Sequence, residues 1–245
     1  MARTAAAAIT FLLAAPVAAQ DAPPGFFAGG LLGVGTDIYV GDNDVVGGVP
    51  LIGYRGDGFS IGTNGASVTL FDRGDAALDI FAAPRFFALT DVDEPELEGI
   101  DRDITLDIGL RYVVDISPRT TLDLSFAQEV TGEHDGQEVD ARLSQSFQLG
   151  AIPLSAFAGV SWQSDDLSRY VYGVFPGEAR AGRPAYDPGA TTTPYVGLRG
   201  GVPLSERAQV IGSLRVDFLG SDIEDSPIVD EDTAVSLGLG VQFSF

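Results

Sequence analysis

The chain has 245 residues, with 35 acidic side chains against 14 basic ones and a formal charge of −21. Every basic residue is an arginine and there is no cysteine. No basic patch is left to meet phosphates, so nucleic acid is not expected as a partner. Disulfides, thiol catalysis and cysteine-based zinc sites are excluded.

Residues 1–19 carry Arg3, then an Ala/Leu-rich core from Ala5 to Ala15, then Val17 and Ala19 ahead of Gln20. This is the pattern of a secretory signal peptide and is expected to be removed. The remainder, 20–245, is expected to form one domain. Beyond the leader no apolar run reaches the ~18 residues of a membrane helix. Any membrane crossing is therefore made by strands. An apolar content of 45% suits that, because alternate residues of a barrel strand face lipid.

Strands follow in order, each recognised by alternation of apolar and polar residues. Phe26–Val40 ends at the acidic tip Gly41-Asp42-Asn43-Asp44. Val45–Tyr54 leads into the turn Arg55-Gly56-Asp57-Gly58. Phe59–Phe71 is interrupted by Asn64-Gly65, a strong hairpin signal. Ala76–Leu89 contains Pro84, which suggests a bulge or kink. After an acidic loop, Asp91–Arg102, Ile104–Val114 alternates without a fault. Ile104, Leu106, Ile108, Leu110, Tyr112 and Val114 share one face, with Thr105, Asp107, Gly109 and Arg111 on the other. Leu122, Leu124, Phe126 and Val130 oppose Asp123, Ser125, Ala127 and Glu129. A polar loop, Thr131–Gln137, separates these from Leu143, Phe147 and Leu149, which oppose Arg142, Ser144, Ser146 and Gln148. Leu154–Trp162 comes next, followed by an aromatic, Pro/Gly-rich insertion from Gln163 to Thr192. Tyr195–Leu204 turns at Ser205-Glu206-Arg207 into the strand holding Val210, Leu214, Val216 and Phe218.

The last stretch, Thr233–Phe245, has Val235, Leu237, Leu239, Val241, Phe243 and Phe245 on one face and Ser236, Gly238, Gly240, Gln242 and Ser244 on the other. It is about twice the length of an ordinary soluble strand and close to the ~9–11 residues that cross a bilayer. An apolar face that ends on Phe245 looks like the closing strand of an outer-membrane barrel. Phe243 and Phe245 then serve as the assembly signal. An edge strand of a soluble β-sandwich is the alternative. The expected fold is all-β: a transmembrane antiparallel up-and-down β-barrel of twelve strands if Phe59–Phe71 splits at Asn64-Gly65, with ten as the fallback. The short turns at Pro118, Pro153 and Glu206 are expected in the periplasm and the long acidic loops outside.

The inward parity carries Arg85, Arg111, Arg142, Arg199 and Arg215 together with Asp79, Asp107, Asp123, Glu129 and Asp217. Opposite charges in a narrow lumen are expected to pair through Arg–carboxylate hydrogen bonds. A selective pore instead lines its constriction with one sign of charge. With the Gln163–Thr192 insertion over the mouth, the lumen is expected to be occluded and weakly conducting or closed.

Catalytic signals are weak. The single histidine, His134, lies beside Asp135 in a short polar loop, and reads as a loop residue rather than a general base or metal ligand. No serine is marked out as a nucleophile. The acidic loops match no complete calcium loop and read as solvated. Phe26, Phe27, Tyr39, Tyr54, Phe86, Phe87, Tyr112, Trp162, Phe218 and Phe243 fall near strand ends, as interfacial girdles do. No cofactor or metal is expected.

Several stretches resemble the MipA/OmpV family of outer-membrane proteins. They are Tyr39-Val40-Gly41-Asp42 followed by Val49-Pro50-Leu51-Ile52-Gly53-Tyr54-Arg55-Gly56, then Tyr170-Val171-Tyr172-Gly173-Val174, Tyr186-Asp187-Pro188-Gly189-Ala190, Pro203-Leu204-Ser205 and Asp225-Ser226-Pro227-Ile228-Val229. The resemblance implies an outer-membrane location, contact with outer-membrane lipid and no catalytic motif. It also implies a scaffold role, joining a lytic transglycosylase to a peptidoglycan synthase. A small-solute, porin-like channel is the alternative, and an outer-membrane hydrolase a third reading.

Overall fold

A computed structural model describes residues 24–41, 45–90 and 94–245. The expected signal peptide, the acidic tip at 42–44 and part of the acidic loop at 91–93 lie outside the described residues. Twelve strands are formed: β1 (Gly25–Gly35), β2 (Val45–Gly56), β3 (Phe59–Gly62), β4 (Gly65–Asp72), β5 (Ala76–Arg85), β6 (Thr105–Ser117), β7 (Thr120–Glu129), β8 (Gln137–Leu149), β9 (Ile152–Gln163), β10 (Thr191–Pro203), β11 (Ala208–Phe218) and β12 (Thr233–Ser244). Among the described residues two helices, α1 (Asp165–Tyr172) and α2 (Ser221–Glu224), lie in the loops. Each strand pairs antiparallel with its sequence neighbours, and β1 pairs with β12 from Phe27↔Ser244 to Gly35↔Ser236, so the barrel is closed. Closure leaves no free edge strand, apart from the margins of β2 and β5 above the short β3–β4 hairpin.

Alternation decides which face meets lipid. Along β6, Thr105, Asp107 and Gly109 are buried, while Ile104, Leu106, Ile108 and Leu110 are exposed. Along β12, Leu237 and Leu239 point outward, with Gly238, Gly240 and Gln242 buried between them. Phe26, Tyr54, Phe59 and Phe71 lie outward near one end of the wall; Phe86, Trp162 and Phe218 lie outward near the other. Three aromatics expected in these girdles are elsewhere. Tyr39 and Phe87 are buried under loops, and Phe27 has the inward parity, with the Arg55 guanidinium over its ring.

The Asn64-Gly65 turn does split the third stretch, because Gly65 adopts φ +117°, which suits glycine and few other residues. The resulting β3–β4 hairpin is short. Above it, the upper part of β2 pairs with β1 alone, and Pro84 and Arg85 pair with β6 alone. A proline lies on each of these unpaired margins. Ile52 bonds Thr63 on the hairpin side, so the nitrogen of Pro50, two residues away, faces that side too. Asp115 donates to the Asp75 carbonyl, which directs odd-numbered β5 residues toward β6 and turns Pro84 toward the gap. Neither proline removes a ladder hydrogen bond, which is why edges tolerate them. Pro84 accordingly introduces no bulge: the β5–β6 register runs unbroken from Ala76↔Val114 to Arg85↔Thr105. The register shifts fall instead at Thr69/Phe71 and Asp115/Ser117.

Tight turns close one end of the barrel, at Asp57-Gly58, Arg73–Asp75, Pro118-Arg119, Gly150-Ala151 and Leu204–Arg207. Long connections crowd the other end. Outer-membrane barrels keep short turns in the periplasm and long loops outside, which sets the orientation.

Candidate functional site

The lumen carries three groups of ion pairs. On the short-turn side, Asp123 of β7 accepts from Arg111 of β6 at Nε (3.0 Å) and Nη2, and from Nη2 of Arg142 on β8. One carboxylate thus bridges two guanidiniums from flanking strands. On the loop side, Arg85 bonds Asp107 (2.8 Å from Nε) and Glu138 (2.9 Å from Nη1), spanning β5, β6 and β8. Arg215 and Asp217 of β11 pair at 2.6 Å, and the Arg215 guanidinium lies 3.6 Å from the Tyr195 ring centre. The Tyr195 hydroxyl donates to Asp140 at 2.7 Å.

Of the ten charged residues expected inside, seven form these pairs. Asp79 instead accepts from the Thr69 hydroxyl at 2.7 Å. Glu129 folds back on the loop after β7, accepting from the backbone N–H of Thr131, Gly132, His134 and Asp135. Arg199 forms no ion pair among the described residues. Two inward carboxylates, Glu138 and Asp140, are absent from the sequence-derived set. Both share the parity of Arg142, but β8 begins at Gln137, earlier than its apolar residues suggest.

The outer loops pack into a small core of their own. Tyr39, Leu89, Leu97, Ile100, Tyr172, Val174, Leu219, Ile223, Ile228 and Val229 bury one another. They come from four separate connections. The strand-like bridges Tyr39↔Val229 and Val174↔Tyr186 tie the loops together. Arg102, 1% exposed, is the latch. It donates to Glu178 at 2.6 and 3.0 Å, to the Tyr170 carbonyl at 2.6 Å, and to the carbonyls of Asp101 and Gly173. Its guanidinium also lies 4.7 Å from the Phe175 ring centre and 5.3 Å from that of Tyr170. An arginine expected at the end of a solvated acidic loop is thus the best-satisfied cation of the cap. It joins the 86–104 connection to the insertion after β9.

The cap sits over the mouth. Tyr172 is buried where the four loops converge. Burial pushes its hydroxyl's pKa up. α1 is capped by Ser164, whose side chain accepts from the Leu167 N–H, with Asp165 and Asp166 in the first turn, where the helix dipole favours anions. Its buried face places Tyr170 against Phe87 and His134. Burial among these rings lowers the His134 pKa, and its Nδ1 accepts from the Gly136 N–H at 3.0 Å. Among the described residues, no three carboxylate or histidine side chains gather in metal-binding positions.

A closed twelve-stranded antiparallel barrel with an apolar outer face, short turns below and a loop cap above defines a β-barrel protein of the bacterial outer membrane. The family described as MltA-interacting protein MipA matches residues 28–245, and the chain belongs to that family. The outer membrane protein OmpV of Vibrio cholerae is 28% identical over 213 residues, covering 86% of this chain and 82% of its own length. The MltA-interacting protein of Escherichia coli K12 is 27% identical over 201 residues, covering 80% and 81%. Among solved structures, the CymD monoaromatic hydrocarbon channel aligns with a TM-score of 0.47 at 8% identity, over 92% of this chain and 90% of that one.

Proposed function

We propose that the protein is a non-conducting, non-catalytic anchor in the outer membrane whose periplasmic rim holds peptidoglycan-remodelling enzymes, a lytic transglycosylase and with it a peptidoglycan synthase. The observation that carries this reading is the pairing of opposite charges on the inner wall. The Arg111–Asp123–Arg142 bridge ties three adjacent strands, and Arg85 reaches Asp107 on the adjacent β6 and Glu138 on the more distant β8, under a cap latched by Arg102. A conducting pore needs a continuous aqueous path, and paired charges of both signs are the opposite of a single-sign selectivity ring. A relative's name records an interaction with MltA, which supports the choice of partner. Phe243 and Phe245 are assigned to assembly, since β12 is the strand that seals the barrel against β1.

Two measurements test the reading together. Planar-bilayer recording of the purified barrel is expected to show no stable open level, and cross-linking in cells is expected to recover a transglycosylase on the periplasmic turns. Large, long-lived currents would replace the anchor by a small-solute channel. Cross-links confined to other barrels would remove the scaffold role.

A further inference from the structure

Arg199 is a half-buried cation, two of whose donors are buried and have no acceptor among the described residues. It projects inward from β10, and its Nε and Nη1 are buried and donate to nothing. Its guanidinium lies 5.9 Å from the Phe157 ring centre, which offers no acceptor oxygen. Directly across the β10–β9 ladder is Ser155, whose buried Oγ also has no partner. One strand further, Arg142 gives Nη2 to Asp123, but its Nε donates to nothing. Three neighbouring strands thus turn donors without acceptors into the lumen, Ser155 and Arg199 side by side and Arg142 four residues toward the loops, level with Gly159 and Tyr195. Among the described residues Arg199 makes no ion pair, while Arg142 and Arg111 both lie against the Asp123 carboxylate.

A guanidinium has five donors and no acceptor, and leaving it buried without a counter-charge is costly. The complement of this cluster is a small, negatively charged group made of acceptors. We propose that the lower lumen binds a small oxyanion of the carboxylate or phosphate class, between Arg199, Ser155 and Arg142. The planar guanidinium fork matches such an anion in two-pronged fashion, and the serine hydroxyl adds a third donor. Tyr195 and Asp140 limit the site on the loop side. The tyrosine hydroxyl is engaged with Asp140, whose carboxylate repels an anion that reaches too far up. Arg199 lies near the Pro203 end of β10, toward the short turns, where Gln209 approaches Gly201. With the cap closing the outer mouth, the anion enters from the periplasm.

Equilibrium dialysis of labelled inorganic phosphate against the detergent-solubilised full-length barrel tests this, with chloride holding ionic strength constant. One saturable site per barrel is expected, displaced by acetate if carboxylates share it. Arg199→Gln should weaken binding roughly tenfold or more, the loss of at least one charge-assisted hydrogen bond. Ser155→Ala should weaken it less, and Arg199→Lys, which keeps the charge and loses the fork, should fall between. Arg55→Gln, an inward arginine on β2 outside the cluster, should change nothing. A second readout does not depend on dialysis. Phosphate should raise the thermal midpoint of the native barrel and not that of Arg199→Gln, and in phosphate-free buffer that variant should unfold no earlier than the native chain. Absence of saturable uptake, or equal uptake by a heat-modifiable Arg199→Gln barrel, would overturn the proposal. So would early unfolding of that variant without phosphate, because it would mean Arg199 already has a structural partner.

Discussion

Asp123 offers the sharpest test of a closed interior. Its side chain is 8% exposed, as is that of Arg142, while Arg111 is 25% exposed. Taking one partner from a buried pair costs about 3–5 kcal/mol, chiefly because a desolvated charge is left behind. The Arg142 contact falls in that range. The Arg111 contact, closer to solvent, adds about 1 kcal/mol or less. Asp123→Ala is therefore expected to lose about 4 kcal/mol. Asp123→Asn retains the shape and one acceptor, and should lose somewhat less. The doubly apolar variant Asp123→Leu/Arg142→Met should recover much of the loss, since it removes both charges together. Urea unfolding of the refolded barrel in lipid vesicles, followed by Trp162 fluorescence and heat-modifiable mobility, measures all three. A loss below about 1 kcal/mol for Asp123→Asn, the size seen for exposed pairs, would mean that water hydrates both guanidiniums. The lumen would then be an aqueous channel, and the reasoning behind the anchor would fail.

Charge tolerance should divide by parity: Leu239→Arg, at a side chain 61% exposed on the lipid face, should cost about 2–4 kcal/mol, while Ser125→Asn on the inward face costs less than about 1 kcal/mol. Equal losses at both sites in the same unfolding assay would point to a sheet without a lipid face. The cap should loosen in acid through His134. Its folded pKa lies below the ordinary value, so its neutral form contributes stability that is complete above about pH 6.5 and declines as pH falls through the lowered folded value. Amide exchange at residues 164–175 measured between pH 8 and pH 5 should show this, and His134→Phe should flatten it; an unchanged profile in that variant would assign the effect elsewhere. Finally, Phe245→Asp should keep the chain out of the membrane, and normal levels of heat-modifiable barrel in the outer-membrane fraction would show that Phe245 carries no assembly signal.

The barrel was legible in the sequence because the information is local. A strand shows its two faces in a two-residue period, and a slip of one residue would turn every leucine of β6 or β12 inward. Hence the lipid-facing set, the split at Asn64-Gly65 and the inward parity of Arg85, Arg111, Arg142, Arg199 and Arg215 needed no tertiary knowledge. Parity says that a side chain faces the lumen and nothing about its height or its partner. Those depend on strand tilt and stagger, which place Asp123 between Arg111 and Arg142, send Glu129 back to its own loop and leave Arg199 without a carboxylate. The start of β8 was hidden because Gln137–Asp140 has few apolar residues, and Glu138 and Asp140 were hidden with it. Pro84 carries a signal that misleads when read alone: whether a missing N–H breaks a ladder depends on which side of the strand has a neighbour. The cap was the least legible part. Tyr39, Phe87 and Arg102 sit in stretches that look like girdle or solvated loop, and nothing periodic marks them. They are buried because four loops, far apart in sequence, converge on one mouth when the barrel closes. The sequence by itself determined the wall, since each strand's contact with lipid is a property of that strand. Only the tertiary structure decided the pairing inside and the lid above, since both depend on distances between strands that the chain does not encode at any single position.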